Sequence, residues 1–281
     1  MVEVSLRPLE GALRIRLDEQ DWVAASRGVP GLPDWAQPVS STRTGAPVDL
    51  EAADVPVDAD VRAAVGLRGS ALLEVEVASV GGERATLGVL WSDGRVCSSL
   101  VRGVDVVPAA GPAGAVLRPG IEVSAFDIED LLDEVRRLVP DAPVLIETTE
   151  AVVPEELTIA LAKAMRTGDR TTVEVLCAEL GLAEPPAVVA AAVRGVSGSL
   201  TLTARSVGRD GASVGSWLRC DAGWVELVRT PDAMVRHTPC SPEDIVRRLL
   251  SDLTGRLGVA LQATAGATES SRRDGVEGRD S

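Results

Sequence analysis

The sequence has very few aromatic side chains: five Trp, one Phe and no Tyr among 281 residues. Val, Leu and Ala must therefore supply most of the core. Proteins that hold single-stranded nucleic acids stack the bases on aromatic side chains, so this composition argues against that class of protein.

The chain also has fewer basic than acidic residues. The chain has 28 Lys and Arg against 42 Asp and Glu, a formal net charge of -14 at pH 7. The Arg residues are scattered and form no basic stripe. Because such a chain repels phosphate backbones and anionic lipid heads, we expect neither nucleic acid nor a membrane surface as a partner.

Paired cysteines and long apolar runs are missing as well. The four Cys stand far apart, without the spacing of a zinc site or the density of a disulfide scaffold. No apolar run reaches the length that spans a bilayer, and the first residues lack a basic stretch followed by an apolar one. No phosphate-binding loop or dinucleotide fingerprint occurs. We therefore expect a cytoplasmic protein without metal or cofactor.

What the chain does contain is a β-meander followed by a helix. Apolar and polar residues alternate over 73–78 and again over 87–91, with Gly81-Gly82 as the turn between them. Asp93-Gly94 predicts a second hairpin turn, and a third strand follows over 95–101. After a loop, apolar residues on one face predict a helix over 127–139.

The same order of elements returns later in the chain. Alternation over 200–203, a turn at 208–211 and strands near 214–218 and 224–228 form the second meander. Ser241-Pro242 then begins a helix, with Ser as the cap and Pro in the first turn. Three further helices are predicted between the meanders, from Pro154, from Thr171 or Thr172, and over 187–193.

The two meanders align residue by residue at a constant offset, which is typical of an internal repeat. The aligned pairs are Leu73 with Leu200, Ser79 with Ser206, Val80 with Val207, Gly81 with Gly208, Ala85 with Ala212, and Gly88 with Gly215. The alternative is that two hairpin units share turn glycines by chance.

We interpret the repeat as a duplication. The predicted fold class is α+β, with two quasi-symmetric halves over about 12–140 and 150–262. These halves share a central antiparallel β-sheet flanked by helical bundles. Residues 1–262 form a single domain in this interpretation, and residues 263–281, which are small, polar and charged, form a disordered tail.

One catalytic pattern has to be weighed. Gly211-Ala-Ser213-Val-Gly215 matches the nucleophile elbow, and Asp221, Asp232 and the single histidine, His237, follow in α/β-hydrolase order. An elbow needs a helix after the serine, whereas the alternation here continues as a strand. A serine hydrolase using Ser213 and His237 therefore stands as an alternative, beside a homodimeric structural or regulatory scaffold.

The arrangement resembles the EspG family, the cytoplasmic chaperones of type VII (ESX) secretion systems. The resemblance rests on the first meander from Ala71 through Trp91-Ser-Asp-Gly-Arg95 to the helix before Pro140, the helical middle 154–195, and the second meander from Gly198-Ser-Leu-Thr-Leu-Thr203 to Leu253. One departure is Asp221-Ala-Gly-Trp224, which stands where an Asp-Gly-Arg turn is expected.

The resemblance implies a non-enzymatic chaperone or adaptor that keeps helical secretion substrates soluble and delivers them for export. It implies PE/PPE or WXG-type heterodimers as partners, and a homodimer is a further possibility. We expect the contacts at two hairpin tips and at one strand tryptophan, namely Gly81, Gly82, Glu83, Arg84, Gly208, Arg209, Asp210 and Trp217.

Overall fold

The structure is a computed structural model that describes residues 12–42, 45–50, 57–107, 114–142, 148–208, 210–221 and 223–277. Its strands are β1 Ala12–Leu17, β2 Leu73–Gly81, β3 Arg84–Ser92, β4 Val96–Val107, β5 Gly114–Leu117, β6 Ile121–Asp127, β7 Ala151–Pro154, β8 Gly198–Ser206, β9 Ala212–Cys220, β10 Gly223–Arg229 and β11 Met234–Cys240. Its helices are α1 Glu19–Ser26, α2 Ala59–Gly66, α3 Leu131–Leu138, α4 Glu155–Thr167, α5 Arg170–Glu179, α6 Ala187–Arg194 and α7 Pro242–Glu277.

All the strands join one antiparallel sheet in the order β1-β6-β4-β3-β2-β8-β9-β10-β11-β7, with β5 paired to β4. The predicted α+β class and the large antiparallel sheet are confirmed. The two meanders meet at β2 and β8, where Leu73 lies opposite Ser206 and Gly81 lies opposite Gly198. The two-half symmetry and the flanking helical bundles stay predictions.

Two predictions about connections were wrong. The segment predicted as a loop after β4 contains β5 and β6, and β11 precedes α7 where no strand was predicted. Residues 121–127 do alternate apolar and polar, so the signal for β6 was present in the sequence. Nearby Gly and Pro residues obscured it, because they are equally typical of loops.

One face of the sheet is covered by α3 and α7, whose apolar stripes the sequence predicts. Leu131, Val135 and Leu138 of α3 and Ile245 and Leu249 of α7 are buried against the central strands. Their spacing of three or four residues places them on one side of each helix. We refer to this side of the sheet as the α3/α7 face.

The predicted start of α7 is confirmed in detail. Asp244 N donates to Ser241 Oγ at 3.2 Å, and Ser241 N donates to the Asp244 carboxylate at 2.9 Å. This reciprocal pair is a capping box, which satisfies backbone groups that the helix itself leaves free. The hydrogen bonds from Ser241 lower the pKa of Asp244.

The end of α7 differs from the sequence prediction. A disordered tail is predicted from residue 263, whereas the structure continues the helix backbone to Glu277. The segment contains no Pro and several Ala, so nothing in its composition forces the helix to end earlier. The division into a domain of residues 1–262 and a tail stays a prediction.

The opposite face of the sheet carries two separate helical layers. Over the first half, α1 and α2 cover β1, β3, β4 and β6, with Trp22 and Val65 fully buried between them. Over the second half, α4, α5 and α6 cover β7, β9 and β10, with Leu161 and Val188 at their centre. Neither layer covers the two central strands, β2 and β8. This face of the sheet is therefore open along its middle.

A buried ion pair ties the first helical layer to the sheet. Arg102 of β4 and Glu19 of α1 contact each other at 3.3 Å with both side chains fully buried. The Glu19 carboxylate also accepts hydrogen bonds from Val39 N at 2.5 Å and Gly120 N at 2.6 Å. Arg102 donates to the Gln37 carbonyl at 2.8 Å. Burial lowers the pKa of Arg102, and the Glu19 carboxylate opposes that shift.

Substituting Glu19→Gln should lower the free energy of unfolding by about 3–5 kcal/mol, because a buried guanidinium would lose its counter-charge. Denaturant unfolding measures the change. The control is Arg118→Ala, which removes an ion pair with Asp105 whose side chains are 39% and 48% exposed, and which should leave the unfolding midpoint nearly unchanged. Equal stability of Glu19→Gln and the wild type would contradict this account.

Candidate protein-binding site

The two predicted hairpin tips lie far apart. Gly81 to Arg84 form the β2–β3 turn, beside Gly198, with Gly82 at a positive φ of 60° and exposed at the surface. The β8–β9 turn begins at Val207, whose N donates to Leu72 O at 3.0 Å. The tips therefore stand at opposite ends of the β2–β8 pair, roughly 25 Å apart at about 3.3 Å per residue.

The structure therefore does not bring the predicted contact residues into one site. Glu83 and Arg84 are exposed on the first tip, and Gly208 and Asp210 are exposed on the second. Arg209 lies outside the described residues. A role in binding stays a prediction for both tips.

Trp217 is not at the surface. It is only 3% exposed and packs in the core of the α3/α7 face. Its ring lies against Gly215, where an added Cβ would come within 2.1 Å of it. The expectation of a surface contact at Trp217 is corrected here: alternation identifies two strand faces, but only the packing of α7 decides which one is covered.

An accessible stretch of the sheet lies on the opposite face, along its two central strands. These positions alternate with core residues, are half-buried and belong to none of the core clusters. We call them the central strip: Glu74, Glu76, Ala78 and Val80 of β2, and Ser199, Thr201, Thr203 and Arg205 of β8.

The neighbouring strands β3 and β9 widen the strip, and the helical layers that cover their other residues form its borders. Leu87 of β3 lies beside Ala78, and Val214 of β9, a residue that is 63% exposed, lies beside Thr203. Further along, Trp91 of β3 is buried under the first helical layer, and Leu218 of β9 packs under the second. The strip is thus a shallow channel of sheet between two helical layers.

Charged side chains gather at one end of the strip. Arg205 Nε lies 2.9 Å from the Glu74 carboxylate, and the same guanidinium contacts Glu76. Trp91 Nε1 donates to Glu74 at 2.8 Å. The rest of the strip is made of neutral side chains, Ala78, Val80, Ser199, Thr201 and Thr203.

The sequence prediction did not name the residues of this strip, although their alternation was visible. Glu74 and Glu76, and likewise Thr201 and Thr203, marked the polar face of each strand. What the sequence did not reveal is that β2 and β8 pair with each other, which makes two short polar faces into one surface.

The hydrolase pattern does not assemble a catalytic site. Ser213 lies within strand β9, on the α3/α7 face, and its Oγ accepts from Arg256 Nε at 3.1 Å. His237 lies on β11 beside Leu227, under the second helical layer, with its Nδ1 3.2 Å from Val235 O. Burial lowers the pKa of His237. Serine and histidine therefore lie on opposite faces of the sheet.

An activity-based fluorophosphonate should leave Ser213 unlabelled, because its hydroxyl accepts from Arg256 and His237 lies on the other face of the sheet. Intact-mass measurement after incubation, with a known serine hydrolase as the positive control, tests this. A stoichiometric adduct that disappears in Ser213→Ala would restore the hydrolase alternative.

Within the described ranges, no group of three or more His, Cys, Asp or Glu side chains is placed to hold a metal ion. No helix in the part of the chain that the structure covers is both long and apolar enough to cross a membrane.

Comparison with solved structures shows that the chain has the fold of a type VII secretion chaperone. It is similar to EspG5 of Mycobacterium tuberculosis, solved in complex with the PE25–PPE41 dimer, at a TM-score of 0.53. The match covers 83% of this chain and 93% of EspG5 at 14% sequence identity. No protein-family model and no curated protein sequence matches the chain. The predicted resemblance is thus confirmed at the level of the fold.

Proposed function

We propose that this protein is a member of the EspG family: a non-enzymatic cytoplasmic chaperone or adaptor of type VII secretion. It binds helical clients, PE/PPE or WXG-type heterodimers, and holds them soluble until export. The observation that carries the proposal is the central strip, an uncovered stretch of sheet within a fold whose similar structure was solved with a PE–PPE dimer.

The dimensions of the strip suit a helical client. Four strands, β3, β2, β8 and β9, span about 14 Å at about 4.8 Å per strand, which is enough for one helix about 10–12 Å across. Small residues such as Ala78 and Thr201 allow close approach, and Val214 and Leu87 supply apolar contact. An apolar helix tip laid here is shielded from other copies of the client.

The register of the central strands supports the proposed duplication. Leu73 pairs with Ser206 and Ser79 pairs with Leu200, whereas the sequence repeat aligns Leu73 with Leu200 and Ser79 with Ser206. Glu76 and Thr203 face each other at the centre of the two strands. A rotation of 180° about an axis between them places Leu73 on Leu200 and Ser79 on Ser206, as the sequence repeat does. Outward from this axis the strands follow in equivalent order on both sides.

In this proposal the net charge of -14 keeps complexes of the chaperone and its client apart. A chaperone carrying an apolar client must not associate through that client with other complexes. Repulsion between strongly acidic surfaces keeps such complexes apart in solution. The exposed hairpin tips, with Glu83 and Arg84 on one and Asp210 on the other, would make the outer contacts.

Co-expression with PE–PPE heterodimers from the same genome should yield a stable 1:1:1 complex, because the strip accepts one helical tip. Affinity purification followed by size-exclusion chromatography with light scattering measures its composition. If the protein binds none of the heterodimers and forms a homodimer, the result would contradict the proposal and favour the homodimeric scaffold.

Thr201→Arg should weaken client binding about tenfold or more, because a long charged side chain would fill the middle of the strip. Thr86→Arg is the matched control: Thr86 is also a half-buried strand threonine, but it lines a cleft of about 360 Å³ on the α3/α7 face. Calorimetry gives both dissociation constants, and thermal unfolding shows that both variants fold. Unchanged affinity of Thr201→Arg would exclude the strip as the site.

A further inference from the structure

Both carboxylate oxygens of Glu74, at the charged end of the central strip, have partners. Its Oε1 lies 2.9 Å from Arg205 Nε, and its Oε2 accepts a hydrogen bond from Trp91 Nε1 at 2.8 Å. The Glu74 side chain is only 12% exposed, so little water competes for these contacts. Glu74 therefore holds the Arg205 guanidinium in place on the strip, and the indole of Trp91 in turn holds Glu74.

A second arginine lies over the indole ring of Trp91. The Cζ atom of Arg68 is 5.7 Å from the centroid of the ring, a distance at which a cation is attracted to an aromatic face. Arg68 belongs to a short 3₁₀ helix, Leu67–Ser70, which lies just before β2 in the chain. Its Nη1 donates to the carbonyl of Pro30, in the loop after α1, at 2.6 Å.

The loop after α1 packs closely against this guanidinium. An added Cβ at Gly31 would lie 2.6 Å from Arg68 Nη1, so a larger residue there would push the guanidinium away from the ring. Glycine also suits the backbone at this position, which has a positive φ of 66°. Arg68 is therefore confined between the loop and the indole of Trp91.

On the basis of the proposed function, we propose that Arg68, although it lies outside the central strip, fixes the position of the Arg205 guanidinium on it. It acts through Trp91 and Glu74, so it is a positioning residue and does not itself contact the client. Arg205 and Glu76 are 43% and 41% exposed at their side chains and form the end of the network that a client covers. Two guanidinium groups and two carboxylates alternate along the network: Arg68, Glu74, Arg205 and Glu76.

The physical reason is preorganisation. A positive charge over the indole ring makes the N–H of Trp91 a stronger donor, which strengthens its hydrogen bond to Glu74. A guanidinium that is already held in place loses less conformational freedom when a client covers it. Without Arg68 the ring is free to tilt, Glu74 is held less firmly, and Arg205 has to be ordered during binding. We expect that change to weaken client binding about three- to tenfold.

Nuclear magnetic resonance of the free protein tests the contact between Arg68 and Trp91. The indole N–H signal of Trp91 is identified by its loss in Trp91→Phe. Arg68→Met keeps an extended side chain and removes its charge, so the signal should move upfield as the hydrogen bond to Glu74 weakens. Arg68→Lys, which keeps a cation near the ring, should move it less. An unchanged signal in Arg68→Met would overturn the inference.

Affinity for a purified PE–PPE heterodimer, measured by calorimetry, tests the connection to Arg205. Arg68→Met should raise the dissociation constant about three- to tenfold. The control is Arg62→Met, at an exposed position on α2, which should leave the constant unchanged. In an Arg205→Gln background, Arg68→Met should have no further effect, because residues that act through one another are not additive. A purely structural role for Arg68 would weaken binding equally in both backgrounds.

Thermal unfolding shows whether each variant folds. If Arg68→Met does not fold, Arg68→Gln, which keeps a donor for the Pro30 carbonyl, takes its place with the same expected results. Wild-type affinity of the Arg68 variant, or equal weakening with and without Arg205→Gln, would overturn the inference while leaving the proposed function intact. If the wild-type protein forms no complex with any heterodimer, the proposed function itself is contradicted, and this inference with it.

Discussion

The antiparallel pairing of β2 with β8 is the interaction on which the rest of the structure depends. Nine residue pairs, from Leu73 with Ser206 to Gly81 with Gly198, join two meanders into one sheet. The backbones approach closely: a Cβ on Gly198 would lie 2.2 Å from Val80 O, so a glycine is required there. This pairing buries one side of both strands under α3 and α7 and creates the central strip on the other.

Buried polar networks hold helices against both faces of the sheet. The Glu19–Arg102 pair joins α1 to β4, and Glu134 of α3 accepts hydrogen bonds from Arg14 at 2.5 Å, Arg137 at 2.7 Å and Ser99 at 3.1 Å. Burial alone would raise the pKa of Glu134, but these partners outweigh it and lower the pKa. Because such networks tolerate few alternative geometries, they fix the positions of α1 and α3 on the sheet.

In the proposed function the central strip is the surface that receives the client. Its fold is that of EspG5 although only 14% of aligned residues are identical. Alternation, turn residues and helix caps maintain such a fold, and many different side chains satisfy them. On the strip, by contrast, the two ends carry different residues: Glu74 faces Arg205 at one end, and Ala78 faces Thr201 at the other.

The sequence by itself determined the elements whose signals are local: the strands of both meanders, the hairpin turns, and α7 with its Ser241 cap, since alternation and capping act between near neighbours. It also revealed the repeat offset, which agrees with the β2–β8 register. Only the tertiary structure decided that Trp217 is buried, that Ser213 and His237 lie on opposite faces, and that Glu76 and Thr203 share one surface. Those facts depend on which strands pair and which face a helix covers, and such long-range packing is not encoded in the period of any single segment.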